Sequence, residues 1–342
     1  MLAPLWLGGC ETLGYLAHAA SGQLSIIGSA RPVERWMADP EAPAELKQRL
    51  SGARAIREFA SRQLLLPDNG SYRSYAELGR AYPVWNVIAA GEFSIEPARS
   101  CFPVSGCVDY RGFFSLERAE SHAHNLREHG NDVLVRGVPA YSTLGYFDDP
   151  LLSSFIHYPD TELARLLFHE LAHQVVYVRD DSSFNESFAV ALEREGVRRW
   201  LSAQGREQDR ASFEKASARA ESFNALLVRT RARLRDLYRE DRAPDALAAM
   251  RSAKAREFAR MMAEYAELKA GWGGFAGYDR IVGEAPNNAL LVAAHTYARL
   301  VPAFEALLRE SAPDLESFYA RVRELAAQPA EQREANLRRL LN

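Results

Sequence analysis

The chain has 342 residues, 47% of them hydrophobic, which is enough to bury a sizeable core. Its formal charge of −3 gives no basic excess of the kind that binds nucleic acid, so no nucleic-acid partner is expected. No stretch after the N-terminus can span a bilayer, since His295 and Arg299 interrupt even the apolar run around Leu290.

The first ten residues read as part of an export signal. They end in Leu7-Gly8-Gly9-Cys10, which resembles the lipobox at which bacterial lipoproteins are cleaved and acylated, although the segment lacks Lys and Arg and its apolar run is short. Cys10 is therefore the expected lipid attachment site of a protein on the periplasmic side of a bacterial cell envelope. The alternative is a merely apolar terminus on a cytoplasmic protein.

Helices and short extended segments alternate in the first part of the chain. Apolar spacing predicts helices over Pro43 to Leu65 and Ser115 to His129. Short strands and turns are predicted over Val84 to Ile95 and Cys101 to Phe114, and an extended segment over Asn131 to Thr143.

Cys101 and Cys107 are separated by Phe-Pro-Val-Ser-Gly. They can close a small disulfide loop in an oxidising compartment, or they are two buried thiols of a cytosolic enzyme. Three histidines of the next predicted helix, His122, His124 and His129, are expected at the surface, because His122 and His124 point to different faces.

His169-Glu170-Leu171-Ala172-His173 is an HExxH motif within a run of helical apolar period, with Asp160 as the predicted N-cap. Two imidazoles four residues apart on a helix converge on one point, which suits zinc, and the intervening glutamate can hold the attacking water. The alternative is an ordinary amphipathic helix whose histidines are satisfied by neighbours.

A third ligand is expected from the helix that follows. A loop over Val178 to Ser183 precedes a second helical pattern, and a short connection favours antiparallel neighbours, so Glu186 can complete a His, His, Glu site. Two alternatives stay open. Ser183 and Glu186 also fit a capping box, and Glu193 is a competing ligand on the same face. Asn185 is expected to orient the site from outside the ligand set.

The remaining sequence is helical. A long hairpin is predicted over residues 205–270, broken at Asp241 to Pro244. The glycine-rich turn Gly271 to Tyr278 precedes a last set of helices from Ala289 to Leu341.

His169-Glu170-x-x-His173 and Asn185-Glu186-x-x-Ala189 resemble the HExxH and NExxA elements of gluzincin peptidases, the group that contains thermolysin and aminopeptidase N. The 12 residues between His173 and Glu186 are fewer than in those two enzymes. Further segments are similar to a bacterial family of predicted aminopeptidases that are often lipoproteins: Cys10 with Tyr15 and Gly22 to Leu24; Pro103 to Cys107 with Tyr110 to Gly112; Pro139 to Gly145 with Asp148 to Pro150; and Asn287 to Ala289.

The resemblance implies a zinc-dependent peptidase, foremost an aminopeptidase, with one Zn²⁺ per chain and a peptide as substrate. Glu170 would take a proton from the metal-bound water and pass it to the leaving amine. The alternatives are an inactive metal-binding envelope lipoprotein that acts as a scaffold, and a zinc hydrolase of non-peptide amides or esters.

The resemblance and the element pattern together predict an α+β, predominantly α-helical fold with a gluzincin-like core. A small strand region precedes the HExxH helix and a long helical hairpin follows it. The expected divisions are a signal over residues 1–10, a catalytic metallopeptidase core over 11–204, the hairpin over 205–270, and a C-terminal helical part over 271–342 packed on the core.

Two roles stay less defined. Tyr141, in the extended segment before the HExxH helix, is the favoured donor of a hydrogen bond to the oxyanion. The alternative is that Tyr141 only covers the core. The other candidate donors are His157, Tyr278, His295 and Tyr297. An anion for a free amino terminus can come from Glu92, Asp148 or Asp149, and the sequence supports no choice among them.

Overall fold

The computed structural model describes residues 8–102, 106–239, 247–283 and 286–341, and describes only the backbone of residues 8–13, 297 and 298. Several predicted features therefore lie outside the described residues: Met1 to Leu7 of the export signal, the side chains of Cys10 and Tyr297, Pro103 to Ser105, and the break at Asp241 to Pro244. Helices dominate the described chain and the strands are short, so the predicted α+β, predominantly helical class is confirmed.

The described helices are α1 Gly8–Ser29, α2 Val33–Ala38, α3 Ala44–Gln63, α4 Leu116–Glu128, α5 Asp160–Ala172, α6 Ser182–Ala203, α7 Glu207–Tyr238, α8 Leu247–Gly271, α9 Asp279–Gly283, α10 Asn288–Ala298, α11 Val301–Ser311, α12 Leu315–Ala326 and α13 Ala330–Arg339. The described strands are β1 Arg31–Pro32, β2 Ser74–Ala76, β3 Val84–Gly91, β4 Ser100–Phe102, β5 Gly106–Val108, β6 Arg111–Phe113, β7 Asn131–Val138 and β8 Leu151–Leu152.

The longest strands, β3 and β7, form an antiparallel pair from Val84↔Val138 to Gly91↔Asn131, and β6 completes a sheet of order β6-β3-β7. Apolar side chains alternate between the two faces of β3. Val87 and Ala89 pack toward α4, whereas Ile88 and Ala90 pack toward α10. The sheet is therefore covered by helices on both faces.

Two smaller strand groups bring distant parts of the chain together. Strand β2 pairs with β1 and, in parallel, with β8 through Tyr75↔Leu151. Strands β4 and β5 form a hairpin in which Cys101 and Cys107 are paired and joined by a disulfide bond. Strands β1 and β2 are thereby joined to β8, which lies shortly before α5.

The largest core is built by α3, α5, α6, α11 and α12. Helices α5 and α6 approach closely at Gly196, where a Cβ would lie 2.7 Å from Phe168 Cδ2 and 2.8 Å from Leu64 Cδ1. A larger residue at Gly196 would push α6 away from the helix segment that carries His169. The close approach thus holds helices α5 and α6 together.

Helices α7 and α8 pack against each other through a second core that includes Phe223, Leu227, Met261 and Tyr265. Helix α10 lies between this core and the β3 sheet through Leu290 and Leu291 on one side and Val292 on the other. Within the described ranges, no helix has both the length and the apolar character needed to cross a membrane.

Candidate metal centre

Helix α5 presents the HExxH motif at its C-terminal end, and His173 is its C-cap. The predicted N-cap is wrong by one position. Pro159 occupies the N-cap without a side-chain hydrogen bond, and Asp160 is the first helical residue. The Asp160 carboxylate accepts from Arg49 Nη1 at 2.8 Å instead. Asp160 therefore places negative charge near the positive end of the helix dipole without capping the backbone.

The connection between α5 and α6 is fixed by Asn185. Its side-chain oxygen accepts from Val178 N at 2.7 Å, and its side-chain nitrogen donates to Val178 O at 2.8 Å. Asn185 is only 2% exposed, so both hydrogen bonds are shielded from water. This clamp sets the position of the neighbouring residue, Glu186.

The N-cap of α6 is Asp181, whose carboxylate accepts from Phe184 N at 3.0 Å. The other oxygen of Asp181 accepts from Arg333 Nη2 at 2.8 Å. Because Asp181 caps the helix, the capping-box role considered for Ser183 and Glu186 does not apply. The Glu186 carboxylate points instead toward the histidines of α5.

Three ligand atoms converge between α5 and α6. His169 Nε2 lies 3.3 Å from His173 Nε2 and 3.3 Å from Glu186 Oε2, and His173 Nε2 lies 3.8 Å from Glu186 Oε2. Four-coordinate zinc with bonds of about 2.0–2.1 Å separates its ligands by about 3.4 Å. Glu186 Oε2 is buried and has no hydrogen-bond partner among the described residues, as expected of an atom reserved for a metal. The donor set and its spacing fit a metal ion.

Glu193 lies behind His169 and not among the three converging atoms. Its Oε2 is 2.8 Å from His169 Nδ1, and its Oε1 accepts from Arg165 Nη1 at 3.1 Å. A carboxylate that accepts from Nδ1 fixes the ring and leaves Nε2 as the metal-facing nitrogen. The structure therefore gives Glu193 a supporting role in place of the competing-ligand role.

The two imidazoles differ in pKa. Burial lowers the pKa of His169, but the neighbouring carboxylates of Glu186 and Glu193 outweigh it and hold this pKa well above the usual value. Burial lowers the pKa of His173 to about 4. Burial raises the pKa of Glu186, yet the adjacent His173 and His169 bring it below its usual value. A neutral His173 and an ionised Glu186 are the forms that ligate a cation.

Glu170 lies on the same helix between the two histidines and is half-buried. Burial raises the pKa of its carboxyl group to about 7; His169 opposes the shift, and the charges of Glu186, Asp149 and Glu193 add to it. A carboxyl group with a pKa near neutrality can both accept and return a proton at physiological pH.

Tyr110 lies close to this group of charges, at the junction of β5 and β6. Burial raises the pKa of its hydroxyl, and the charges of Glu186 and Glu170 raise it further, so the hydroxyl stays protonated. The sequence pointed to Tyr110 only as part of the family resemblance. Its approach to Glu186 depends on how the β4-β5 hairpin packs, which no local pattern predicts.

The other predicted donors are placed as follows. The Tyr141 hydroxyl donates to Gln23 Oε1 on α1, and its ring packs edge-on against Phe114. His157 is half-exposed and lies 3.4 Å from Glu45. Tyr278 stacks on Phe223 in the second core, and burial lowers the pKa of His295 to about 3. The hydroxyl of Tyr141, the favoured oxyanion donor, is therefore already bonded to a residue outside the candidate metal centre.

The arrangement places three side chains that could hold a metal ion on two antiparallel helices, with the Glu170 carboxyl group beside them. The chain belongs to the protein family described as "Putative aminopeptidase", whose family model matches residues 14–337. No curated protein and no solved structure gives a significant match to the chain. Family membership thus supports a peptidase.

Proposed function

We propose that the protein is a zinc-dependent aminopeptidase whose metal is held by His169, His173 and Glu186. The observation that carries the proposal is the convergence of these three ligand atoms, with separations of 3.3, 3.3 and 3.8 Å, beside Glu170. The family to which the chain belongs supports the peptidase part of the proposal.

Zinc, when bound, would act as a Lewis acid that polarises the scissile carbonyl and lowers the pKa of a water molecule. The Glu170 carboxylate would take a proton from the attacking water and deliver it to the nitrogen of the leaving amine. Glu193 and Arg165 would hold the His169 ring in one orientation during these steps. Each proton transfer is therefore assigned to a carboxylate of this chain.

The developing oxyanion needs a hydrogen-bond donor. We assign this role to Tyr110 in preference to Tyr141, because the Tyr141 hydroxyl already donates to Gln23 whereas Tyr110 lies near Glu186 and Glu170. In hydrolysis assays Tyr110→Phe should lower kcat by about 10²-fold or more, and Tyr141→Phe should lower it less. The reverse order would return the role to Tyr141.

The decisive experiment compares wild-type protein with Glu170→Gln on free peptides, their N-acetylated counterparts, and simple amides and esters. Glu170→Gln should keep about one zinc per chain and lose hydrolysis by about 10²- to 10⁴-fold, since it removes the proton acceptor and no ligand. Unchanged turnover would remove Glu170 from the mechanism. Hydrolysis of amides or esters but not of peptides would change the substrate class.

We also propose an envelope location with Cys10 as the lipidated residue. Helix α1 begins near this residue and is fixed to the domain, since Tyr15 donates its hydroxyl to Gly112 O at 2.8 Å and Ile26 is buried in the main core. The Cys101–Cys107 disulfide is compatible with an oxidising compartment. Incorporation of a fatty-acid label into wild-type protein but not into Cys10→Ser would support the anchor, and equal incorporation would contradict it.

A further inference from the structure

Asp149 is a buried carboxylate without a counter-charge. It is 3% exposed, and its Oδ2 accepts from Thr143 N at 2.8 Å. Its Oδ1 is buried and has no hydrogen-bond partner among the described residues. In the part of the chain that the structure describes, no Lys, Arg or His forms an ion pair with Asp149. A buried carboxylate without a counter-charge is costly to ionise, so a cation that reached Asp149 would be bound favourably.

Asp149 lies beside the candidate metal centre. Its backbone oxygen accepts from Tyr72 N at 2.6 Å, and Ser71 Oγ accepts from Gln174 Nε2 at 3.2 Å. Gln174 directly follows His173 at the end of α5. The carboxylate is thus on the flank of the helix that carries HExxH.

Tyr72 provides a second unused polar group at the same place. Its hydroxyl is buried and has no hydrogen-bond partner among the described residues. Its backbone has a φ of 64°, a left-handed conformation that non-glycine residues adopt only when their surroundings impose it. The charges of Glu170 and Asp149 both act on this hydroxyl. A cation between Asp149 and Tyr72 would satisfy both groups.

Two other carboxylates near the candidate metal centre, Glu193 and Glu186, already face groups that can carry positive charge. Glu193 is paired with Arg165, and Glu186 faces the two histidines. Of the three acidic residues that the sequence left open for an amino terminus, Asp148 is exposed, and Glu92 binds Arg251 Nε at 2.6 Å. Asp149 alone of those three is both buried and without a cation.

We propose that Asp149, assisted by the Tyr72 hydroxyl, binds the free α-ammonium group of the peptide substrate and so restricts cleavage to unblocked amino termini. The inference rests on the proposed peptidase function, since it defines which peptides that same centre accepts. An ammonium group supplies both the positive charge and several N–H donors that the two oxygen atoms lack. A blocked or internal residue would place a neutral amide there and leave Asp149 unpaired.

The test compares a free peptide and its N-acetylated form on wild type, Asp149→Asn and Asp148→Asn, with zinc content measured for each protein. Asp149→Asn preserves shape and removes the charge. We expect it to lower the ratio of kcat/KM for free over acetylated peptide by at least about tenfold, mainly through a higher KM, with zinc content unchanged. Asp148→Asn, the exposed neighbour, should leave the ratio at its wild-type value.

An unchanged ratio in Asp149→Asn, or a wild-type protein that cleaves both peptides equally well, would overturn the proposal. If Asp149→Asn does not fold, Tyr72→Phe carries the same test, because it removes only the hydroxyl oxygen.

Binding of both peptides to Glu170→Gln, measured by calorimetry, separates the proposed catalytic role from the proposed ammonium site. If the wild-type protein hydrolyses neither peptide, the proposed catalytic role is refuted. If Glu170→Gln nevertheless binds the free peptide more tightly than the acetylated one, the ammonium site is supported. Equal binding of the two peptides refutes the ammonium site.

Discussion

At the scale of single residues, Glu193 shows how a side chain can orient a candidate metal ligand without being a ligand itself. The sequence favours Glu186 as the third ligand and leaves Glu193, on the same helix face, as a competing ligand. In the structure its two oxygens are divided between His169 Nδ1 and Arg165. Glu193 is also 4% exposed, so water does not compete for these bonds.

We therefore predict that Glu193→Gln weakens zinc binding by about 10- to 100-fold while the saturated protein still holds one ion. The affinity is measured by competition with a chromogenic chelator. Glu195→Gln is the matched control, because Glu195 lies on the same helix and pairs with Arg198 and Arg199 outside the centre. Complete loss of the ion in Glu193→Gln would make Glu193 a ligand, and unchanged affinity would deny it any role.

The sequence predicts the position of some site residues and not of others, for a physical reason. His169, Glu170 and His173 are tied by helical geometry, so a spacing of four residues predicts their convergence. Whether a carboxylate such as Asp149 has a counter-charge depends on neighbours far away in the sequence. Tyr72, for example, precedes Asp149 by 77 positions and still bonds to its backbone.

At the scale of elements, the metal centre depends on the junction between α5 and α6. Asn185 bridges both polar groups of the Val178 peptide backbone and so holds the start of α6 against the end of α5. Glu186 follows Asn185 directly. A change in this junction should therefore affect both stability and metal affinity.

We predict that Asn185→Ala lowers the free energy of unfolding by about 2 kcal/mol, since it leaves the Val178 N–H without its partner and removes one of the two hydrogen bonds to Val178 O. It should also weaken zinc binding. Chemical denaturation of the zinc-free and zinc-bound protein measures both effects. Asn336→Ala, which removes a half-buried bond to Gln328 at the far end of the chain, should cost less than about 1 kcal/mol. Equal costs for the two variants would contradict the role of the junction.

The elements themselves were predictable where a period of several turns exists. The predicted helices around α3, α4, α5 and α7 agree with the structure to within a few residues. Strand β7 ends at Val138, earlier than the predicted extended segment, because Pro139 removes a backbone donor. Strands β1, β2 and β8 span two or three residues each, too few to show a period, and they pair with partners more than 40 positions away in the sequence.

At the scale of the whole molecule, the structure confirms the predicted α+β, predominantly helical fold class, and the family model supports the predicted aminopeptidase family. The family model covers residues 14–337, so almost the whole chain, and not only the HExxH segment, carries the family pattern. The main core of α3, α5, α6, α11 and α12 surrounds the two metal-site helices with the chain's C-terminal helices. The C-terminal helices therefore pack against α5 and α6, and Arg333 donates to Asp181, the N-cap of α6.

The central claim is that His169, His173 and Glu186 jointly hold one zinc ion. The most direct test is metal analysis of purified, dialysed wild-type protein beside the His169→Ala/His173→Ala double variant, with folding of both checked by circular dichroism. We predict about one zinc per chain in the wild type and almost none in the folded double variant, because a single carboxylate cannot retain the ion. A folded wild-type protein that binds no divalent metal, or a double variant that keeps its full zinc content, would contradict the account.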